Sequence, residues 1–481
     1  MIGSMTSQGV DLVAQPSRSP LVTVRLLLRA GSAWDPPGLD GLGALTARMV
    51  GDAGTARRSY RALTEAFYPL GTSLSVTCDR ELVCLSGTVH RDRLDALTDL
   101  LLEAVLTPGF DEADLERGRQ AQLSHLLAVL RSASDEQLGL EVLQQALFGA
   151  RHPYGHAPEG TVSSLRRVGV EDVRRHHAGA WTRARLMVGV AGGFSDAWLA
   201  RFIGALGALP QGEAAPPVPP PPPVSGRHAL LVQKATGSVG IHLGHPLTVD
   251  RAHPDFAALW LANSYLGEHR TFHGRLMQQL RGLRGLNYGD YSYVEHYPSP
   301  TATTQPTPGF LRSRPHFSVW VRPVPPEKAL FALRAALHEV DRLIVRGMGQ
   351  GELESTREFL ASYSRLWAQA ASSRLGLAMD GRLFEVPGLV DLLAERLPGL
   401  DAGDVTEAVR RHVHPDRWRA VMVCGDAARL RDELLADGDS PITYPAPVPD
   451  EVAEADQLIA ARRLALTEVE IVRAEDLFEG A

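Results

Sequence analysis

One segment of this chain occurs twice. Residues 171–192 read EDVRRHHAGAWTRARLMVGVAG, and residues 407–425 read EAVRRHVHPDRWRAVMVCG. Val173-Arg174-Arg175-His176 matches Val409-Arg410-Arg411-His412. Each is followed by a Trp, Trp181 or Trp418, and then by Met-Val entering an apolar run. Both copies predict a helix, a turn and a strand that closes on a Gly turn. A chain that repeats an αβ unit so far apart must build two related halves. Between the copies lies PQGEAAPPVPPPPPVSG, residues 210–226, whose consecutive prolines favour an extended, semi-rigid spacer. The division is therefore 1–209, a linker 210–226, a second half 227–440, and a tail 441–481. In the tail, Tyr444–Asp450 is proline-punctuated and Glu451–Leu466 has helical spacing with mixed charge, suited to packing back on the body or reaching a partner.

Periodicity fills in both halves. Leu21–Ala30 is a β-rich run, with ordered structure expected from about Leu21. Thr72–Cys78 and Leu82–Val89 read as paired strands joined at Asp79-Arg80. Leu94, Leu97, Leu101 and Val105 mark a helical stripe. Glu112–Leu130 and Gln137–Leu147 read as helices. In the second half, Val239–Leu243 and Phe317–Val321 are strands, and Phe256–Leu266, Pro326–Val345 and Glu352–Ala370 are helices. Helices cluster after strands instead of alternating with them, which gives an α+β class: two homologous αβ halves, each a mixed or antiparallel sheet with helices packed on it.

Composition excludes several functions. Hydrophobic residues make up 44% and charged residues 22%, a globular balance. Forty-nine basic against 56 acidic residues give −7, with no basic excess that would suit nucleic acid. No apolar run reaches the ~18–20 residues of a membrane helix. Met1–Gln15 lacks a basic patch followed by an apolar stretch, so a cytoplasmic location is expected, or a periplasmic one if a leader has been trimmed. Cys78, Cys84 and Cys424 are too scattered for a disulfide framework and are expected to be buried thiols. There is no GxxxxGK[ST] and no GxSxG, so nucleotide hydrolysis and serine-hydrolase chemistry have no support.

Several segments, taken in order, carry a resemblance. Residues 29–55 read RAGSAWDPPGLDGLGALTARMVGDAGT, residues 116–125 read ERGRQAQLSH, His152-Pro153-Tyr154-Gly155 is followed by Gly160-Thr161, and residues 274–288 read GRLMQQLRGLRGLNY. Over about residues 20–440 the chain resembles the pitrilysin/insulinase family of zinc metallopeptidases. That resemblance implies two halves closing as a clamshell around a cavity. It also implies an HxxEH motif on the first helix, a distant third ligand, and an Arg and a Tyr from the C-terminal half that reach the substrate carbonyl.

The chain departs from the family at the metal. HxxEH works because two His at i and i+4 share a helix face and both reach Zn²⁺, while the Glu activates the metal-bound water. Here the matching positions are Ala44, Ala47 and Arg48. Alanine has no donor atom, and arginine keeps its proton and charge. The third-ligand position falls at about His125. Leu42, Leu45 and Met49 are expected to form the buried face of that helix, with Ala44, Ala47 and Arg48 on another. No metal is expected in this chain, and no peptide hydrolysis by it alone.

The second signature is intact. Arg281 and Tyr288 match the family's pair, seven residues apart, with Gly285 suiting a tight helix-to-strand turn. Arginine and a phenol can donate hydrogen bonds to a developing oxyanion; the bland alternative is an exposed Arg and a core Tyr. Tyr291, Tyr293 and Tyr297 follow at period two, an aromatic strand face that lines a peptide groove or the core. His242 and His245 flank a strand end and are expected to cap it or face solvent. His176-His177, echoed by His412 and His414, reads as structural.

The reading that results is a non-catalytic subunit. It would complete the peptide-binding cavity of an HxxEH-bearing, zinc-holding partner, as a heterodimer, and supply Arg281 and Tyr288 in trans to an extended peptide. A second reading is a purely structural or binding member. A third is an unrecognised enzyme site around His269, His273 and Glu295.

Overall fold

The computed structural model describes residues 3–7, 9–295, 304–310 and 312–480. The strands fall into two six-stranded sheets. The first contains β1 (Gly3–Ser7), β2 (Val10–Pro16), β3 (Leu21–Leu28), β4 (Ser75–Cys78), β5 (Val83–His90) and β6 (Leu186–Gly192), in the order β1-β2-β6-β3-β5-β4. The second contains β7 (Arg227–Gln233), β8 (Val239–Pro246), β9 (Asp290–Tyr293), β10 (His316–Val324), β11 (Trp418–Cys424) and β12 (Glu468–Arg473), in the order β12-β7-β11-β8-β10-β9.

The two orders superimpose strand for strand. β2 runs parallel to β6, and β7 parallel to β11. β3 and β8 run antiparallel to those strands and are followed outward by antiparallel β5-β4 and β10-β9. The strands of the repeated segment, β6 and β11, hold the same place in each sheet, and Trp181 and Trp418 are both buried. The sheets differ at the far edge: β1 is antiparallel to β2, whereas β12 is parallel to β7. This is the expected α+β arrangement of two related halves with mixed sheets. Two edge strands escaped the sequence reading. Ordered structure begins before Leu21, with β1 and β2. The tail contributes β12, whose Glu-Val-Glu-Ile alternation is an ordinary strand pattern.

In the first half the helices are α1 (Leu42–Asp52), α2 (Tyr60–Phe67), α3 (Leu94–Leu106), α4 (Glu112–Ser124), α5 (Asp135–Phe148), α6 (Val162–Arg167), α7 (Val170–Ala180) and α8 (Asp196–Leu206). The second half carries α9 (Phe256–Gly267), α10 (Ala329–Arg346), α11 (Gln350–Trp367), α12 (Ala371–Leu383), α13 (Leu389–Arg396), α14 (Ala402–His412), α15 (Ala427–Ala436) and α16 (Asp450–Ala461). Many starts are set by side-chain caps: Ser59, Asp111, Ser134, Thr161, Ser195, Asp401 and Asp426 each accept a first-turn amide. α9, FAALWLANSYLG, is buried on all sides, as a helix apolar all round must be. The expected helix Glu112–Leu130 is shorter: α4 ends at Ser124 and continues as a π-helical stretch, His125–Ala133. None of the helices among the described residues is long and apolar enough to cross a membrane.

Each half lends a helix to the other. α5, from the first half, lies across β8 and β11; an added Cβ at Gly139 would sit 2.4 Å from the His242 ring. α12, from the second half, lies across β6 and β2; an added Cβ at Gly189 would sit 2.2 Å from Met379 Sδ. Small residues thus mark both crossings. A separate apolar cluster forms there from Val13, Leu27, Met187 and Ala191 with Leu375 and Met379. The helices explain a correction. His242 and His245 neither cap the strand nor face solvent; both are buried, because β8 is a central strand, with His242 under α5 and His245 on the opposite face against Phe317 and His414. Burial drives His242 down to about 3 and His245 to about 4, so both stay neutral.

The linker and the tail bind the halves further. The proline segment lies along the body. Trp34 Nε1 donates to the Pro216 carbonyl at 3.0 Å, and Arg314 Nε donates to the Val218 carbonyl at 2.9 Å. After β12 the chain crosses back to the first half. There Val162 N donates to the Phe478 carbonyl, Ser163 N donates to the Glu479 carbonyl, and Arg131 pairs with Glu479 at 2.6 Å.

Candidate functional site

Two regions hold the residues singled out by the sequence. The first is α1. Leu42, Leu45 and Met49 are buried, as their spacing requires. The helix start is held by Asp35, whose carboxylate accepts from Gly41 N at 2.6 Å and Gly43 N at 2.7 Å. Burial still pushes the Asp35 carboxyl well above the usual range. Ala44 is half-buried, while Ala47 is fully buried instead of sharing an open face with Arg48. Arg48 Nη1 turns to Asp52 at 3.5 Å, over a surface hollow shared with Tyr60 and Arg117.

His125 goes elsewhere. It opens the π-helical stretch after α4, its Nε2 lies 3.4 Å from Glu159 Oε1, and it lines a cavity of about 160 Å³ with Arg80, Glu141 and Arg312. Arg48 and His125 therefore face different spaces. Of the four motif positions only His125 offers a metal donor, so this set does not fit a zinc ion. Elsewhere among the described residues, His253, Asp255 and His412 bring ligand-type atoms within 4.8 Å of one another. That Asp255 carboxylate is already bonded to His412 Nε2 at 2.7 Å and to Arg411.

The wall of the 160 Å³ cavity is a buried ionic knot that sequence reasoning saw only as a hairpin turn. Asp79, Arg80 and Glu81 are all buried. Arg312, from the second half, reaches Asp79 with Nε at 3.1 Å and Nη2 at 2.8 Å, and also holds Gln144. Arg80 pairs with Glu141 and donates to the Tyr154 carbonyl at 3.1 Å. Tyr154, of His152-Pro153-Tyr154-Gly155, bonds Glu81 through its hydroxyl. The His-Pro-Tyr-Gly segment is thus a structural clasp, and an added Cβ at Gly155 would sit 1.9 Å from the Gly149 carbonyl oxygen.

The second region carries Arg281 and Tyr288. Arg281 lies in a π-helical stretch, Met277–Gly282, and Gly285 takes the left-handed conformation (φ +57°) that turns the chain toward β9. The Arg281 guanidinium stands over the Tyr288 ring at 5.1 Å and over the Phe272 ring at 5.2 Å. Arg322 stands over the Tyr288 ring at 5.3 Å and pairs with Glu136 of α5 at 2.8 Å. Tyr288 is 68% exposed, which rejects the core-tyrosine alternative. Tyr291 and Tyr293 are buried with Met277 and Trp320, and His269 Nδ1 meets the Tyr293 hydroxyl at 2.6 Å. Tyr297 lies outside the described residues. Asp290 is buried and held up to about 7 by that burial, with Asn287 Nδ2 donating to Oδ1 at 2.6 Å.

The third grouping is not assembled. Glu295 is held by Arg251 through two bonds of 2.8 and 3.0 Å, His269 by Tyr293, and His273 packs on Phe359. Glu136, Arg322 and Phe272 were not foreseen; Arg322 is an arginine at the end of a β-run, with no pattern of its own.

The insulinase (peptidase family M16) profile matches residues 12–152. The chain is 24% identical over 401 residues to "Non-peptidase homolog YmxG" of Helicobacter pylori, spanning 82% of this chain and 86% of that protein. It is 24% identical over 286 residues to "Uncharacterized zinc protease YmxG" of Bacillus subtilis, spanning 57% of this chain and 65% of that one. The fold is similar to that of a peptidase M16 inactive domain from Pseudomonas fluorescens, with TM-score 0.77 and 23% identity over 88% of this chain and 98% of that one.

Proposed function

We propose that this chain, with an insulinase-family (peptidase family M16) domain at residues 12–152, is a non-peptidase member of that family and serves as the non-catalytic subunit of a two-chain metallopeptidase. A partner bearing HxxEH holds the zinc. This chain completes the cavity and offers Arg281 and Tyr288 in trans to the scissile carbonyl. One observation carries the reading. The Arg281 guanidinium and the exposed Tyr288 phenol stand together, while Ala44, Ala47 and Arg48 cannot bind a metal.

The chemistry is hydrogen-bond donation to charge that develops on the carbonyl oxygen. An extended peptide suits the surroundings. β9 begins two residues after Tyr288 and is the outer strand of its sheet, so a peptide added along that edge would run past the phenol. β4 is the matching outer strand of the first sheet.

A quenched unstructured peptide tests the proposal. Cleavage is expected only when the chain is mixed with its HxxEH partner, and a chelator should abolish it. Arg281→Ala should lower kcat of the pair by about 10²–10³, the usual cost of losing one oxyanion donor. Chelator-sensitive cleavage by the chain alone would overturn the reading. A pair whose rate ignores Arg281→Ala would leave a purely structural subunit.

A further inference from the structure

The repeated segment folds alike in both halves, but a carboxylate completes it in only one. In the second half α14 packs on α9, and Asp255, the residue before α9, fills the corner between them. Asp255 Oδ2 meets His412 Nε2 at 2.7 Å and accepts a second bond from Arg411. In the first half α7 packs on α1, with Arg175 and His176 at the matching positions. The residue before α1 is Gly41, which brings no carboxylate. A side chain there is excluded: φ is +93°, and an added Cβ would sit 2.3 Å from the Glu159 carbonyl oxygen. Asp35 is no substitute, since its two oxygens are held by the Gly41 and Gly43 amides. Where His253 stands two residues before Asp255, Leu39 stands two residues before Gly41.

What remains in the first half is a hollow of about 410 Å³, within the range of small-molecule sites. Trp34, Leu39, Leu42 and Pro216 give it apolar walls, and His176 and Arg185 line it with them. His176 is 8% exposed, and its Nε2 is buried with no hydrogen-bond partner among the described residues. The same atom of His412 is the one bonded to Asp255. Arg175 is no competitor for the hollow, because it pairs with Asp172 at 3.1 Å. Arg185 is half-buried and donates only to backbone, to the Glu213 carbonyl at 3.2 Å and the Arg29 carbonyl at 3.4 Å. Among the described residues it forms no ion pair. A partly desolvated guanidinium without a counter-ion and a buried ring nitrogen without a partner are both satisfied by one carboxylate. Apolar walls around them favour an anion carried on an apolar body over a hydrated inorganic one.

We infer that the hollow between α1, α7 and the proline linker is a binding site for a small organic acid. Its carboxylate meets His176 as Asp255 meets His412, with Arg185 as the counter-charge, and its apolar body lies against Trp34 and Leu42. The site belongs to the half opposite Arg281 and Tyr288, and it does not depend on the proposed function.

An NMR titration of the full chain, carrying isotope-labelled tryptophan, tests it. The reporter is the Trp34 indole N–H, which donates to the Pro216 carbonyl at the wall of the hollow and is assigned with Trp34→Phe. The probes are phenylacetate and its uncharged isostere, phenylacetamide. The acid should bind about tenfold more tightly than the amide, the margin of one hydrogen-bonded charge. Inorganic phosphate at the same concentration should not displace it. Arg185→Gln should erase the preference for the acid, and Arg61→Gln, on the exposed surface of α2, should leave it unchanged. Gly179 lines the hollow from α7, and an added Cβ there meets nothing within 4 Å, so Gly179→Leu fills the space without strain and should abolish binding of both probes. That variant decides the matter even if Arg185→Gln fails to fold. Equal binding of acid and amide, no binding of either, displacement by phosphate, or binding that survives Gly179→Leu would each overturn the site.

Discussion

Arg312→Met should loosen the two halves from each other before it unfolds either. Arg312 and Asp79 are each 6% exposed, one from each half, and they are joined by two hydrogen bonds of 2.8 and 3.1 Å. Methionine fills a similar volume without charge. The Asp79 carboxylate would then stay buried beside an apolar thioether. Removing one partner of a buried pair costs about 3–5 kcal/mol, against about 5–15 kcal/mol for a whole domain. The adjoining cavity of about 160 Å³ has room for water, which argues for the lower end of the range. Asp79→Asn together with Arg312→Met removes both charges, and the double variant should recover most of the loss. The assay is urea unfolding followed by tryptophan fluorescence, since tryptophans sit in both halves. The single variant should split one transition into two, and the double should narrow the gap again. A single variant within about 1 kcal/mol of the parent would refute the reasoning, as would a double variant that is worse than the single. Either result would mean that Asp79 is solvated through the cavity and that the pair holds nothing together.

Other outcomes follow from the same geometry. Asp290 has its folded pKa raised from 3.8 to about 7, so the fold favours its proton; the stability this confers is full below pH 3.8 and is lost as pH rises toward 7. Asp290→Asn should therefore raise the melting temperature at pH 8, by a few kcal/mol of stability, and change little at pH 4; equal shifts at both would exclude burial as the cause. Deleting residues 467–481 removes β12 and the Arg131–Glu479 contact, and should expose the β7 edge and speed limited proteolysis of both halves. Indifference of the first half to that deletion would mean that the returning tail does not stabilise it.

The duplication was legible because it is local: a Val-Arg-Arg-His helix end, a Trp and a Met-Val strand survive in both copies and fold alike. That the motif positions do not suit zinc was legible because it depends only on which atoms Ala44, Ala47 and Arg48 possess. The exchange of α5 and α12 was not. It joins residues far apart in the chain, and its local trace is the smallness of Gly139 and Gly189, which any loop or turn could also explain. His242 was misjudged for the same reason, since its burial comes from a helix supplied by the other half, whereas His245 is buried by Phe317 and His414 of its own half. Ala47 is buried for want of a polar tip to hold at the surface. The Arg281–Tyr288 pairing was visible as a motif. The second cation on the same ring, Arg322, and its tie to Glu136 depend on β10 meeting α5, which no spacing encodes.

The exchanged helix also sets an order of events during synthesis. The first sheet is complete in sequence at Gly192, yet α12, which covers β2 and β6, ends at Leu383. At roughly 5–20 residues per second, the ribosome needs about 10–40 s to make the intervening chain. For that interval Val13, Leu27, Met187 and Ala191 form an uncovered apolar sheet face on a nascent polypeptide. Such a face is a natural ligand for a holding chaperone until α12 emerges to cover it. A codon-level slowdown after the linker should therefore increase aggregation of this chain, and synonymous acceleration there should relieve it.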